Sequence, residues 1–366
     1  MQRRRLLSAA AAVAAWPPMA GAAASAGGPL LAAAWDDGAG RHFAGVLALQ
    51  PGRGLVPWRA LELPTRAHGL EVDADGSLLV AARRPGPWLL RWHPQRAAAS
   101  AHWHWLDADR RGCGHLVLAP GGALLCTETD LADGQGQLVL RDARTLALRA
   151  CWPTHGIDPH ELLALPDGGW LVANGGVPTA PETGRVKLDL GTMNAALVRL
   201  DPQGRLQGRW RLPDPRLSLR HLARHADGTV AVALQAEHDD AAARAAAPLL
   251  ALFDGRALHT VPATQHHGGY AGSVLATPDG FAVAATRADA VLHLARSGAA
   301  PGLQPLPRAC ALAATSGVVW AGGDAAAGAW QPPGGARQIP TPGLRLDNHW
   351  RRWRAGVQRA PAVSGT

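Results

Sequence analysis

Six stretches of the chain repeat one pattern: a short apolar run, a turn containing glycine, and a second apolar run. They are residues 70–79 (LEVDADGSLL), 116–125 (LVLAPGGALL), 162–171 (LLALPDGGWL), 222–231 (LARHADGTVA), 274–282 (VLATPDGFA) and 311–319 (ALAATSGVV). Each predicts a β-hairpin. The aligned glycines Gly76, Gly122, Gly168, Gly228, Gly280 and Gly317 recur at intervals of 46, 46, 60, 52 and 37 residues. A period near the length of four short strands is the signature of a propeller blade. Flanking runs supply the outer strands: residues 195–201 (AALVRLD), a Pro202-Gln203-Gly204 turn and residues 206–212 (LQGRWRL) complete one blade. WD and kelch signatures do not recur in phase.

Six hairpins plus the ends predict seven blades in an all-β fold. Residues 29–35, 42–49 and 55–63 read as the second, third and fourth strands of blade one, with no first strand ahead of them. Residues 346–350 (LDNHW) are assigned as the missing innermost strand, so the termini close the ring and hide its edges. The propeller is expected to span residues 27–354, with 355–366 as a tail.

Residues 1–26 read as an address. Arg3-Arg4-Arg5-Leu6-Leu7 and the alanine-rich run behind them fit a twin-arginine leader, and Ala22, Ala24 and Ala26 offer cleavage sites. A periplasmic protein without a membrane anchor is the expectation, since no later apolar stretch approaches 18 residues. The formal charge is +8, yet Lys187 is the only lysine and both signs are dispersed. No basic stripe or nucleic-acid motif appears, so a nucleic-acid partner is not expected. The cysteines Cys113, Cys126, Cys151 and Cys310 are too few for a disulfide scaffold, although Cys113 and Cys126 fall on paired strands where one bridge would be feasible.

In a blade the start of the first strand and the end of the second share a rim. The first-strand starts carry His349, His68, His115, His160 and His221, with Glu161 beside His160; the second-strand ends carry Glu128, Asn174, Gln235, Glu237, Arg287 and Asp324. The 60-residue interval marks an insertion over residues 174–194 that brings Lys187 to the same rim, as a lid or as a packed loop. Polar groups this dense around a channel make a candidate metal or anion site, with His115, His160 and His221 of adjacent blades as the expected ligands of a divalent metal. A competing role exists. His68 and His160 align one place before His115 and His221, so on regular strands the four cannot all face the axis; a histidine there could instead bond a neighbouring blade's backbone. No tightly spaced ligand motif or G-x-S-x-G is present.

Several stretches resemble one family: residues 127–130 (TETD), 155–162 (HGIDPHEL), 173–176 (ANGG), 184–188 (GRVKL), 217–223 (LSLRHLA), 272–274 (GSV) and 347–349 (DNH). The chain is similar to the exported propellers labelled domain of unknown function 1513. That resemblance implies a seven-bladed propeller and, from the family's imelysin-type iron-uptake and di-haem peroxidase-like neighbours, periplasmic iron handling with iron-uptake proteins as partners. It assigns no catalytic residue. The expectation is a binding or accessory propeller rather than an enzyme. The alternatives are a lactonase-type hydrolase whose channel metal is held by carboxylate, Asn and His, and a structural scaffold.

Overall fold

The computed structural model describes residues 28–180, 184, 186–262, 265–296, 302–331 and 335–355. The expected leader at 1–26 and all but the first residue of the expected tail at 355–366 lie outside the described residues. Seven antiparallel sheets follow one another along the chain, and among the described residues the only α-helix is Ala241–Ala246. Blades two to seven each contain four sequence-consecutive strands, spanning residues 67–105, 110–153, 159–210, 217–260, 271–305 and 311–340. The blade sketched from sequence around residues 195–212 is present as Ala196–Leu200 paired with Leu206–Trp210.

Second strands are apolar along most of their length, with polar residues confined to their rim ends, as in blades three to five, because neighbouring blades cover both their faces. Leu78–Ala82 and Val230–Ala236 are buried throughout, whereas the outermost strand Leu148–Pro153 is largely open. The core is therefore a ring of interblade layers. Val46, Leu61, Leu78, Val80, Trp88 and Trp353 fill the layer between blades one and two; Trp35, Phe43, Trp320, Ile339 and Trp350 fill the layer between blades seven and one. The tight turns need glycine where the chain enters the left-handed region, as at Gly76 (φ +86°) and Gly228 (φ +99°).

The ring closes through the C-terminal segment, but not by one continuous strand. Arg345–Leu346 pairs with Asp36 and Trp35, and Arg351–Trp353 pairs with Leu30–Ala32. Residues 347–350 leave the ladder between them, held by Asp347 N–H donating to Ala34 O at 3.0 Å and a parallel bridge from His349 to Leu312 of blade seven. The assigned strand at 346–350 is thus interrupted at its histidine.

Candidate functional site at the channel

The same interruption recurs around the ring. In blade two the pair Ala67/Ala82 is followed by Leu70/Val80, three steps against two, so His68-Gly69 form a bulge. Blade four goes from Pro159/Asn174 to Leu162/Val172 and blade five from Leu219/Leu234 to Leu222/Val232, bulging at His160-Glu161 and Arg220-His221. Blade three goes from Gly112/Glu128 to Leu116/Cys126, four steps against two. A bulge breaks the period of two and re-aims a side chain. This resolves the one-place offset: the strand starts are irregular, and all the rim histidines turn inward.

Two glycines make the bulges fit. Gly114 has φ +91°, and a Cβ on Gly69 would lie 2.4 Å from Gly114 O. Gly69→Ala is expected to force the first strands of blades two and three apart at a cost of about 1–3 kcal/mol. Thermal melting checks this, and an unchanged Tm contradicts the close approach.

His68, His115, His160, His221 and His349 form one cluster, each at most 7% exposed. Ring centroids are 4.2 Å apart for His115–His160, 4.8 Å for His68–His349, 4.9 Å for His160–His221 and 5.0 Å for His221–His349. Two sets of three offer nitrogens within 4.8 Å of one another: His68 with His115 and His160, and His115 with His221 and His349. His115 belongs to both. The expected trio of His115, His160 and His221 is therefore split, its last two members falling in different sets.

The cluster leaves polar atoms without hydrogen-bond partners. The buried His115 Nε2 and His349 Nε2 have no hydrogen bond. His221 Nδ1 has none of good geometry either, with Glu161 Oε2 at 3.3 Å. His68 is oriented through Nδ1, 3.0 Å from Asp347 Oδ1, and Asp347 also accepts from Arg66 Nε at 2.5 Å. A carboxylate on Nδ1 fixes the tautomer that leaves Nε2 as an acceptor, the usual support of a metal-ligating imidazole. Burial, then mutual repulsion, holds His115, His160 and His349 well below the usual histidine range, and burial lowers His68 despite Asp347. Neutral imidazoles keep the lone pairs a metal requires.

An ion-pair belt surrounds the cluster. Arg220, fully buried, donates to Asp158 Oδ2 at 2.8 Å and lies 3.9 Å from Glu237 Oε1. Asp158 also pairs with Arg84 of blade two, and Glu237 with Lys187 of the insertion. Lys187 therefore ties the insertion down onto blade five. Glu161 accepts from Leu222 N–H at 2.8 Å. Arg287 stacks over Tyr270 at 5.0 Å, farther round the rim.

Two expected rim residues turn elsewhere. Glu128 is held by Arg141 Nη2 at 2.7 Å, and Arg141 reaches His104 of blade two at 2.9 Å, so this carboxylate serves the interblade layer. Asn174 donates to Thr154 O at 2.9 Å and packs against Gly156 in the connection between blades three and four. The feasible Cys113–Cys126 bridge is absent: all four thiols are free, and Cys113 Sγ lies 3.2 Å from Thr129 Oγ1. Burial pushes the Cys113 and Cys310 thiols up to about 12, which makes them inert as nucleophiles.

Arg83 and Arg84 were missing from the expected set, although the second-strand-end rule applied to blade two points straight at them. A void of about 30 Å³ lies against His68, His160, His221, Arg83, Tyr270 and Asn348. Larger cavities of about 320 Å³ flank it. One lies under the insertion between Arg84, Arg111, Asp158 and Val177, and the other lies among arginines of blades one, two, six and seven.

Solved structures with similar folds include hydrazine synthase of Kuenenia stuttgartiensis (TM-score 0.56, 12% identity, 83% of this chain and 93% of that one). The WD40 propeller domain of Doa1 (0.55, 12%, 81% and 86%) is another. A third is the extracellular domain of the one-component system BT4673 from B. thetaiotaomicron (0.54, 10%, 85% and 48%). At these identities the likeness concerns the propeller fold alone. Comparison with curated proteins gave no match. The family model described as protein of unknown function (DUF1513) matches residues 61–353, which include the bulges, the histidine cluster and the closing segment, and the chain belongs to that family.

Proposed function

We propose that this propeller binds a divalent transition-metal ion at the five-histidine cluster and serves metal acquisition outside the cytoplasm. The carrying observation is the clustering of five buried imidazoles in the channel as two ligand sets that share His115, two of the five having unpartnered Nε2 atoms. Leaving such atoms orphaned costs about 1–3 kcal/mol each, and a bound ion removes that cost. Imidazole donors suit zinc, copper, iron and nickel rather than magnesium or calcium. The twin-arginine leader supports the periplasm as the compartment, with iron-uptake proteins as partners. The lactonase-type reading lacks its ligands, because Glu128 and Asn174 are bonded elsewhere and among the described residues both candidate ligand sets are all histidine.

Titrating chelator-treated protein with Zn²⁺ or Co²⁺ tests the proposal. One equivalent should bind, with a rise in Tm. His115→Ala removes the ligand common to both sets and should weaken binding by more than about 100-fold. His349→Ala leaves the His68 set intact and should cost less. Unchanged affinity in His115→Ala contradicts the proposal, as does a wild-type protein that takes up no metal.

A further inference from the structure

The second large cavity lies beside the cluster at the junction of blades one, two, six and seven. Its walls carry five arginines, Arg66, Arg83, Arg287, Arg308 and Arg345, against a single acidic residue, Asp324. Arg66 is committed to Asp347 and lies 3.7 Å from Asp36, and Arg345 reaches Asp324 only at 3.9 Å. Arg83, Arg287 and Arg308 have no carboxylate partner among the described residues. Arg83 is only partly exposed, and burial followed by repulsion from Arg66 lowers its pKa. Proteins pair or solvate charges they bury, because an uncompensated one is costly. Arg83 is the partly buried member of the three; the exposed Arg308 and the exposed Arg287, which donates to Gly268 O at 3.2 Å, add two more guanidiniums free of carboxylates to the same cavity.

We infer that this lobe binds a small ligand carrying several oxyanion groups, of the polycarboxylate class, and that one arm of it reaches the histidine channel. The cavity, about 320 Å³, is larger than a single tetrahedral anion fills, and its guanidiniums come from four blades, so one oxyanion cannot engage them all. Guanidinium forks match carboxylate and phosphate oxygens two at a time. Arg83, Tyr270 and Asn348 line both this lobe and the small void over the histidines, so the two spaces share walls. The lobe part stands without any metal. The reach into the channel rests on the metal-binding reading above: three neutral imidazoles leave a divalent ion's charge uncompensated and a coordination position open, and a carboxylate oxygen supplies both needs.

Calorimetric titration of the metal-free protein with citrate, inorganic phosphate and acetate is the first test. Citrate should bind at least about 10-fold more tightly than phosphate, and acetate should give no measurable heat. The double variant Arg83→Gln/Arg308→Gln should lose at least about 10-fold in citrate affinity. If it fails to fold, Arg287→Gln/Arg308→Gln, at two exposed positions, should show the same direction of change. Absence of citrate binding, equal binding of phosphate, or unchanged affinity in a folded variant overturns the lobe. For the channel arm, the visible absorption of protein-bound Co²⁺ should shift on adding citrate in the wild type and stay fixed in the double variant. An unshifted spectrum, or cobalt released into the dialysate as its citrate complex, overturns the arm. His115→Ala should retain metal-free citrate affinity, so failure of the metal reading remains distinguishable from failure of the lobe.

Discussion

Deleting residues 345–366 is expected to abolish cooperative folding of the whole ring. The deleted segment contributes Leu346, Trp350 and Trp353, all at most 3% exposed. Trp350 packs on Gly322 of blade seven, where a Cβ would come within 2.5 Å of its ring. Trp353 packs against Trp58 of blade one at 5.3 Å and donates through Nε1 to Gly76 O of blade two at 2.9 Å. Arg351 adds an ion pair to Glu71 of blade two at 2.9 Å. One segment thus joins three blades. Removing a buried tryptophan side chain costs about 3–5 kcal/mol, so two of them plus Leu346 approach the whole stability of an ordinary domain, about 5–15 kcal/mol. The truncated chain should show no cooperative melt, and Trp350→Ala alone should lower stability by about 3–5 kcal/mol. A truncated protein that melts like the full chain contradicts this closure.

Acid should destabilise the metal-free protein steeply. His68, His115, His160 and His349 are held below their unfolded value near 6.5, and burial pushes His293, against Trp330, down to about 4. Below that unfolded value the unfolded chain takes up protons that the folded one refuses. Stability is therefore full above about pH 7 and falls as pH drops below about 6.5, by up to about 1.4 kcal/mol per histidine per pH unit. Four cluster histidines together reach about 5 kcal/mol over one unit. Asp347, which burial would raise but His68 and Arg66 hold far below the carboxylate range, adds its loss only near and below pH 4. Reading isolated histidines from the sequence places the loss of metal affinity at about pH 6–7; burial moves protonation of the cluster below that window. Tm measured from pH 8 to 5 with chelator present should be flat and then fall, with a shallower fall in His115→Ala/His160→Ala. A flat profile down to pH 5 contradicts the neutral, buried cluster.

The blade count and the five histidines were legible because they depend on local patterns. Apolar runs around Gly76, Gly122 and Gly168 mark hairpins, and polar residues at the first-strand starts interrupt them. The bulges were not legible, because one extra residue flips every later side chain and nothing around His160 or His221 announces it. Gly69 and Gly114, each next to a histidine, were the only local signs. The partners were also hidden. Asp347 and His68 are 279 residues apart and Arg84 and Asp158 are 74 apart, pairs that only ring closure and blade order bring together. Glu128 was misplaced for a related reason: its position on the second strand fixes its rim, whereas its face is set by Arg141 across the interblade layer.

The most direct test of the histidine cluster as a metal site is anomalous diffraction from crystals of the zinc- or cobalt-loaded protein, recorded at the metal edge. A single strong peak in the channel, about 2.0–2.1 Å from nitrogens of His115 and two other cluster histidines, is the predicted result. A channel holding only water, or metal found solely outside the channel, would contradict it.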